Sequence, residues 1–394
     1  MKAFIILILP LATTLPYLAV AILMNDIMAS LEIGYSLAGL SMTVMLFISG
    51  ICMFAGSKVQ GKIGIINTIV LAIWMTFLGS AICFIANNFI VFFIGRIISG
   101  IGFGLISVSL IPYISAWFKG NMRTYMITAN LITNSIASII SLSIANPLKM
   151  LIGTWQGVFG VYSIFIVGVA LLWMFFGKSN EELENAKKLY NTEKSNQESP
   201  LRKALKIKQY RLLMISGIFI MSAITAVTTF MPTFLINEKG FSLNFSVMAA
   251  NINNATFILG ALAGGVLLAR SGKRKIIFQI GIICMMIGGL LLAYTGTYAL
   301  VVIAVSMVGF GFMLRIPAQT TIMMETIEPL DPIILGGATA MISGTGQIIS
   351  LAVPPLFSIL SSTIGMSGAM QMFFWLLIIS VIASFMISET GMKK

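Results

Sequence analysis

The chain has 394 residues, 58% of them hydrophobic and 9% charged, with 24 Lys and Arg against 12 Asp and Glu, a net charge of +12 and a mean hydropathy of +1.01. A soluble domain carries about 25% charged residues, so the composition excludes a soluble globular or disordered class and defines a polytopic membrane protein. There is no histidine, which removes the commonest metal ligand and the commonest general base. Cys52, Cys83 and Cys284 lie far apart in apolar segments and read as small buried hydrophobes, with no disulfide or metal site and no cofactor implied.

Apolar runs of about 20 residues, the length that crosses a bilayer, fall near 4–24, 35–56, 65–86, 89–118, 124–147, 155–176, 210–236, 245–269, 276–296, 298–324, 335–360 and 369–388. That predicts twelve transmembrane helices. The first run is too long for a signal peptide, has only Lys2 before it and is interrupted by Pro10 and Pro16, so it reads as a retained helix. With the N-terminus inside, the cytoplasmic loops carry Lys58 and Lys62, Lys119 and Arg123, then Arg270, Lys273, Arg274 and Lys275, and the tails add Lys2, Lys393 and Lys394. The outer loops hold Lys149 and Lys239. The positive-inside rule thus places both termini in the cytoplasm of a multi-pass cell-membrane protein. It also accounts for the net charge without a nucleic-acid partner.

Residues 177–209 are the sizeable polar stretch, with Glu181, Glu182, Glu184, Lys187, Lys188, Lys194, Arg202, Lys203, Lys206 and Lys208 around Pro200. This is the composition of a solvated linker with some amphipathic helix. It divides the chain into six helices over 1–176 and six over 210–394. The halves echo each other. Gly56 and Gly265 each open a loop signature, Gly102-Phe-Gly104 answers Gly309-Phe-Gly311, and Ile139-Ile-Ser-Leu142 answers Ile348-Ile-Ser-Leu351, at offsets of 209, 207 and 209 residues. Two parallel six-helix repeats are a transporter plan with the substrate site near the bilayer midplane.

These loop signatures carry a family resemblance. Gly265-Val-Leu-Leu-Ala269-Arg270-Ser-Gly272-Lys273-Arg274 is similar to the Gly-x-x-x-Asp-Arg-x-Gly-Arg-Lys loop of the major facilitator superfamily, with Ala269 in place of the acid. The first copy, Gly56-Ser-Lys-Val-Gln60-Gly61-Lys62-Ile63-Gly64, departs further, with Gln60 replacing the acid. The fourth segment, Arg96-x-x-x-Gly100-x-Gly102-x-Gly104 followed by Pro112, Ala116-Trp117-Phe118 and Arg123, resembles the family's fourth helix, and its Trp-Phe ending resembles the branch of cyanate, nitroimidazole and nitrate permeases. The resemblance implies an all-α fold of two pseudo-symmetric six-helix bundles, with helices 1, 4, 7 and 10 around a central cavity. The Gly-Pro signature of the family's drug antiporters is missing from the fifth segment, which instead carries a polar stripe of Asn130, Thr133, Asn134, Ser138 and Ser141. That stripe reads either as helix–helix contact or as substrate lining, and so do Asn251 and Asn254, and Ser343, Gln347 and Ser350.

Two charges remain inside the spans, Arg96 and Arg315. A guanidinium does not shed its proton at working pH and costs at least ~2.5–3.5 kcal/mol in hydrocarbon. Three readings are open for Arg315, which lies between Gly309, Gly311 and Pro317. It binds an anion, it partners backbone carbonyls or a distant carboxylate, or it snorkels to the cytoplasmic edge. The acids sit in the linker and at helix ends, as at Asp26, Glu32, Glu238, Glu325, Glu328, Asp331 and Glu389, so no mid-membrane carboxylate serves as a proton or cation carrier.

The resulting expectation is a secondary transporter, not an enzyme, that moves a small organic (carboxylate) or inorganic anion by alternating access. Its substrate-binding set is Arg315 and Arg96 with Tyr17, Thr13, Thr14, Thr225, Thr228, Thr229 and Gln347, and its gating loop is Gly265, Arg270, Gly272, Lys273 and Arg274. Its expected partners are a small-molecule anion and membrane lipids, and it is expected to be a monomer. The alternative is a facilitator for a neutral polar solute with both arginines structural. A membrane enzyme lacks its residues here, having no histidine, no intramembrane acid pair and no Gly-x-Ser-x-Gly elbow. A receptor or scaffold on a carrier fold is the remaining class.

Overall fold

In hydrocarbon each backbone N–H and C=O must be satisfied within its own segment, and an apolar helix does this. The computed structural model describes residues 2–177, 181, 183–185, 199–327 and 331–391. Glu182, Lys187, Lys188 and Lys194 of the 177–209 linker, together with Glu328, Lys393 and Lys394, lie outside the described residues.

The first six membrane helices are α1 Lys2–Leu31, α2 Tyr35–Ile63, α3 Ile65–Phe84, α4 Phe89–Trp117, α5 Gly120–Ile152 and α6 Trp155–Phe176. After a short helix, Pro200–Lys206, come α7 Lys208–Asn237, α8 Leu243–Ser271, α9 Arg274–Tyr294 and α10 Tyr298–Glu325. The stretch Pro332–Met386 is 55 residues long, too long for one crossing. Gly365, at φ 76° and ψ 164°, breaks it into α11 (332–364) and α12 (366–386), and α11 carries a π-helical turn at Ala340–Gly344. Twelve spans result.

Polar residues punctuate the apolar text. Asn88, Thr154, Ser242 and Asp331 accept hydrogen bonds from the first free amides of α4, α6, α8 and α11, the groups a helix start leaves unpaired. Gly153 and Gly272 end α5 and α8 in the left-handed region.

The chain forms two compact units. The first comprises 1–119, 132–204 and 331–344, the second 120–131, 205–330 and 345–394. The start of α11 therefore belongs with the first unit, and the start of α5 with the second. Within the first, Gly336 lies against Gln60 of α2, Gly344 against Phe54, and Ala340 shares a buried cluster with Met53 and Val108. Aromatic edges fill the same unit, with Phe92 and Trp155 at 5.4 Å and 84°. Within the second, Thr128 of α5 lies against Gly265 of α8.

Small residues let these helices approach closely, and they reveal the repeat. A Cβ on Gly79 would meet Ser99 N and Gly95 O of α4, and one on Gly288 would meet Val308 N and Ala304 O of α10. Likewise Gly102 seats on Ala72 and Thr76 of α3, and Gly311 on Gly281 and Met285 of α9. Each corresponding pair stands 209 residues apart. This corrects the 207-residue pairing of Gly102 with Gly309. Gly309 faces Asn253 of α8, as Gly100 faces Met45 of α2, so Gly100 and Gly309 are the counterparts.

Candidate functional site

Arg96 in α4 is wholly buried. Its Nε donates to Ser41 O at 3.2 Å, Nη1 to Pro16 O at 2.9 Å and Nη2 to Tyr17 O at 3.3 Å. The guanidinium carbon also lies 6.0 Å from the Tyr17 ring centroid. All three nitrogens are committed, and one side chain ties α4 to α1 and α2. Backbone carbonyl dipoles, not a carboxylate, surround this charge.

Arg315 in α10 is 3% exposed and is held differently. Its Cβ sits in the notch that Gly281 leaves on α9, where an added Cβ would come within 2.8 Å. The guanidinium carbon lies 4.8 Å from the Phe312 ring centroid, and Phe312 is itself 5.5 Å from Phe257 of α8. Nη1 donates to Gln319 Oε1. Nε is buried without a hydrogen-bond partner. Among the described residues no carboxylate pairs with it, whereas Lys149 pairs with Asp26 and Arg274 with Glu325. An unpaired buried charge is expensive, so this is where a complementary anion would gain most.

The other expected binding residues divide between the units. In the first, Thr13 donates to Pro10 O at 3.1 Å and Thr14 to Asn134 Oδ1 at 3.3 Å, while Tyr17 is half-buried against Phe103, with ring centroids 5.9 Å apart. In the second, Thr225 donates to Ser350 Oγ at 3.0 Å, Thr228 back-bonds to Ile224 O at 2.9 Å, Thr228 and Thr229 are exposed and Gln347 is half-buried. Two residues of the α5 stripe bond to α1 and one bonds back within α5. Besides the Thr14–Asn134 bond, Ser141 donates to Leu15 O at 2.7 Å and Ser138 to Asn134 O at 2.9 Å. On α8 the buried amide is Asn253, with Asn251 and Asn254 exposed.

Sequence reasoning missed Gln319 and Phe312. Both follow from helical spacing, since i−3 and i+4 share the face of Arg315.

The second loop signature is a built joint. Gly272, at φ 67°, takes the conformation a side chain resists. Arg270 and Lys273 are exposed. Arg274 is buried and pairs with Glu325 at 3.0 Å. Glu389 accepts from Arg274 N at 2.8 Å and Lys275 N at 3.2 Å, capping α9 from the far end of the chain, and Thr390 donates to Glu325 at 2.9 Å.

Twelve apolar helices in a two-fold repeat, with a buried guanidinium that no carboxylate pairs among the described residues, fit a membrane transport protein. The family model of the Major Facilitator Superfamily matches residues 3–330, and the chain belongs to that superfamily. Over 347 residues it is 23% identical to a hexuronate transporter of Bacillus subtilis, covering 84% of this chain and 78% of that protein. Over 210 residues it is 25% identical to an uncharacterized protein of Campylobacter jejuni, covering 52% of this chain and 63% of that one. The fold matches FucP in its outward conformation at a TM-score of 0.80 and 15% identity, covering 99% of both chains. It matches the proton:xylose symporter XylE at 0.79 and 13% identity, covering 99% of this chain and 96% of that one.

Proposed function

We propose that this transporter moves a small organic anion, a carboxylate, by alternating access, and that Arg315 is its principal anion-binding residue. The observation that carries the reading is the buried Arg315 guanidinium with an unpartnered Nε and no carboxylate beside it among the described residues. A bound carboxylate accepting parallel guanidinium hydrogen bonds offsets the cost of that buried charge. The Bacillus subtilis relative is named for hexuronate, an acid sugar.

Arg96, saturated by carbonyls, holds α1 and α2 on α4 and supports transport without gripping the guest. Within the second unit, exposed hydroxyls at Thr228 and Thr229, with the half-buried Gln347, serve as supporting polar groups. The protein acts as a monomer in the cell membrane, with both termini and the 177–209 linker cytoplasmic, as the loop charges imply. A cysteine placed at Asn196 in a cysteine-free background then resists impermeant thiol reagents in intact cells.

Uptake into proteoliposomes tests the function. Labelled glucuronate or gluconate accumulates in exchange for internal anion, while glucose and xylitol do not. Uptake of the neutral solutes without the acids would establish the neutral-solute alternative.

A further inference from the structure

We propose that Gln319 is the positioning residue that turns Arg315 so that its Nε–Nη2 edge becomes the anion fork, and that this lone fork selects a monocarboxylate. The proposal rests on Arg315 being the anion-binding residue.

Three contacts already hold the side chain. Its stem is seated against Gly281, one face lies over Phe312, and Nη1 is bonded to the Gln319 amide oxygen. Nη1, one of the two nitrogens of the end-on edge, is thereby engaged. What remains is the side edge, where the Nε and Nη2 hydrogens point in parallel. Nε is buried without a partner, and Nη2 makes no hydrogen bond among the described residues. Two parallel donors match the two oxygens of a planar carboxylate. Gln319 stands one turn from Arg315 on the same face and is half-buried where Arg315 is 3% exposed.

Charge then sets the class of guest. The other intramembrane guanidinium, Arg96, has Nε, Nη1 and Nη2 all on backbone carbonyls. One free positive charge neutralises one negative charge. A dicarboxylate or a phosphate dianion would carry a second, uncompensated charge into a low-dielectric site, at a desolvation cost that nothing there offsets.

The neutral amide at 319 is part of the same logic. A carboxylate there would pair with Arg315 internally and compete with the guest, so glutamine directs the guanidinium without cancelling it.

The test uses full-length protein in detergent. Thermal shift and calorimetry are run with acetate, lactate, gluconate and glucuronate, against succinate and inorganic phosphate. At least one monocarboxylate should bind wild type more tightly than either dianion. Gln319→Glu should keep a normal gel-filtration profile and a melting temperature at or above wild type, yet bind that monocarboxylate about 30-fold more weakly or worse. Gln319→Met, nearly isosteric and unable to accept from Nη1, should weaken it about tenfold and narrow the gap to succinate. Wild-type affinity in Gln319→Glu, or in Gln319→Met where the former does not fold, would overturn the positioning role. If Arg315→Gln abolishes binding in the same assay, the anion-site reading survives that result. Tighter binding of succinate or phosphate, or no stabilisation by any monocarboxylate, would overturn the substrate class.

Discussion

Lys149 Nζ lies 3.0 and 2.9 Å from the two carboxylate oxygens of Asp26, joining α1 to α5. Asp26, the acid at the outer end of the first span, is engaged in an ion pair in which the Lys149 and Asp26 side chains are 25% and 39% exposed. Pairs near the surface contribute about 0.2–1 kcal/mol. Asp26→Asn should therefore lower stability only slightly and leave both counterflow and net uptake largely intact. Loss of net uptake with exchange spared would make Asp26 the proton carrier.

Arg96 should be a residue of transport rate and stability. Hydrogen bonds from a charged donor are worth about 1.5–3 kcal/mol each, and Arg96→Lys cannot keep all three carbonyls in place. Its melting temperature should fall and its uptake rate should drop, while carboxylate affinity stays within about threefold of wild type. A large loss of affinity in a well-folded Arg96→Lys would place this arginine in the binding site.

The glycine seats give a paired prediction. A Cβ at Gly102 would lie 2.6 Å from Ala72 O, and one at Gly311 2.5 Å from Gly281 O. Gly102→Ala and Gly311→Ala should each cost about 1–3 kcal/mol through overpacking. Gly168→Ala, where nothing lies within 4 Å, should be neutral or slightly stabilising. Matching losses at the first two positions would express in energy the repeat seen in geometry. Thermal melts of the three variants read this directly.

Glu389 caps α9 from the C-terminal segment. Glu389→Ala should cost about 0.5–2 kcal/mol, the range for a lost helix cap, and Glu325→Gln should lower the melting temperature by weakening the hold on Arg274. An unchanged melting temperature in both would mean that these contacts of Glu389 and Glu325 contribute nothing to stability.

The fold was legible because the solvent leaves little choice. Long apolar runs can only be helices, and Pro and Gly between Gly344 and Gly368 did not hide that two spans lie there. The repeat was legible at Gly56 and Gly265, but its register in α4 and α10 was not. A Gly-x-Gly pattern does not say which glycine faces which neighbour, and the structure moved the match from Gly102 to Gly100. The site was half legible. A charge inside a span announces itself by its cost, so Arg96 and Arg315 stood out. Their surroundings did not, because the acceptors of Arg96 are backbone carbonyls, which every sequence contains. Gln319 was readable in principle as the i+4 neighbour of Arg315, yet a lone amide on an apolar helix carries no sign of what it bonds.

The most direct test of the account is isothermal titration of a carboxylate, glucuronate or the tightest binder of the panel, into wild type, Arg315→Lys and Arg315→Gln of equal gel-filtration quality. Removing a charged partner from a buried pair is worth about 2–5 kcal/mol, or roughly 30- to several-thousand-fold in affinity. Arg315→Gln should scarcely bind. Arg315→Lys, with the charge but not the planar fork, should bind weakly. Wild-type affinity in well-folded Arg315→Gln would contradict the account and leave Arg315 a structural residue.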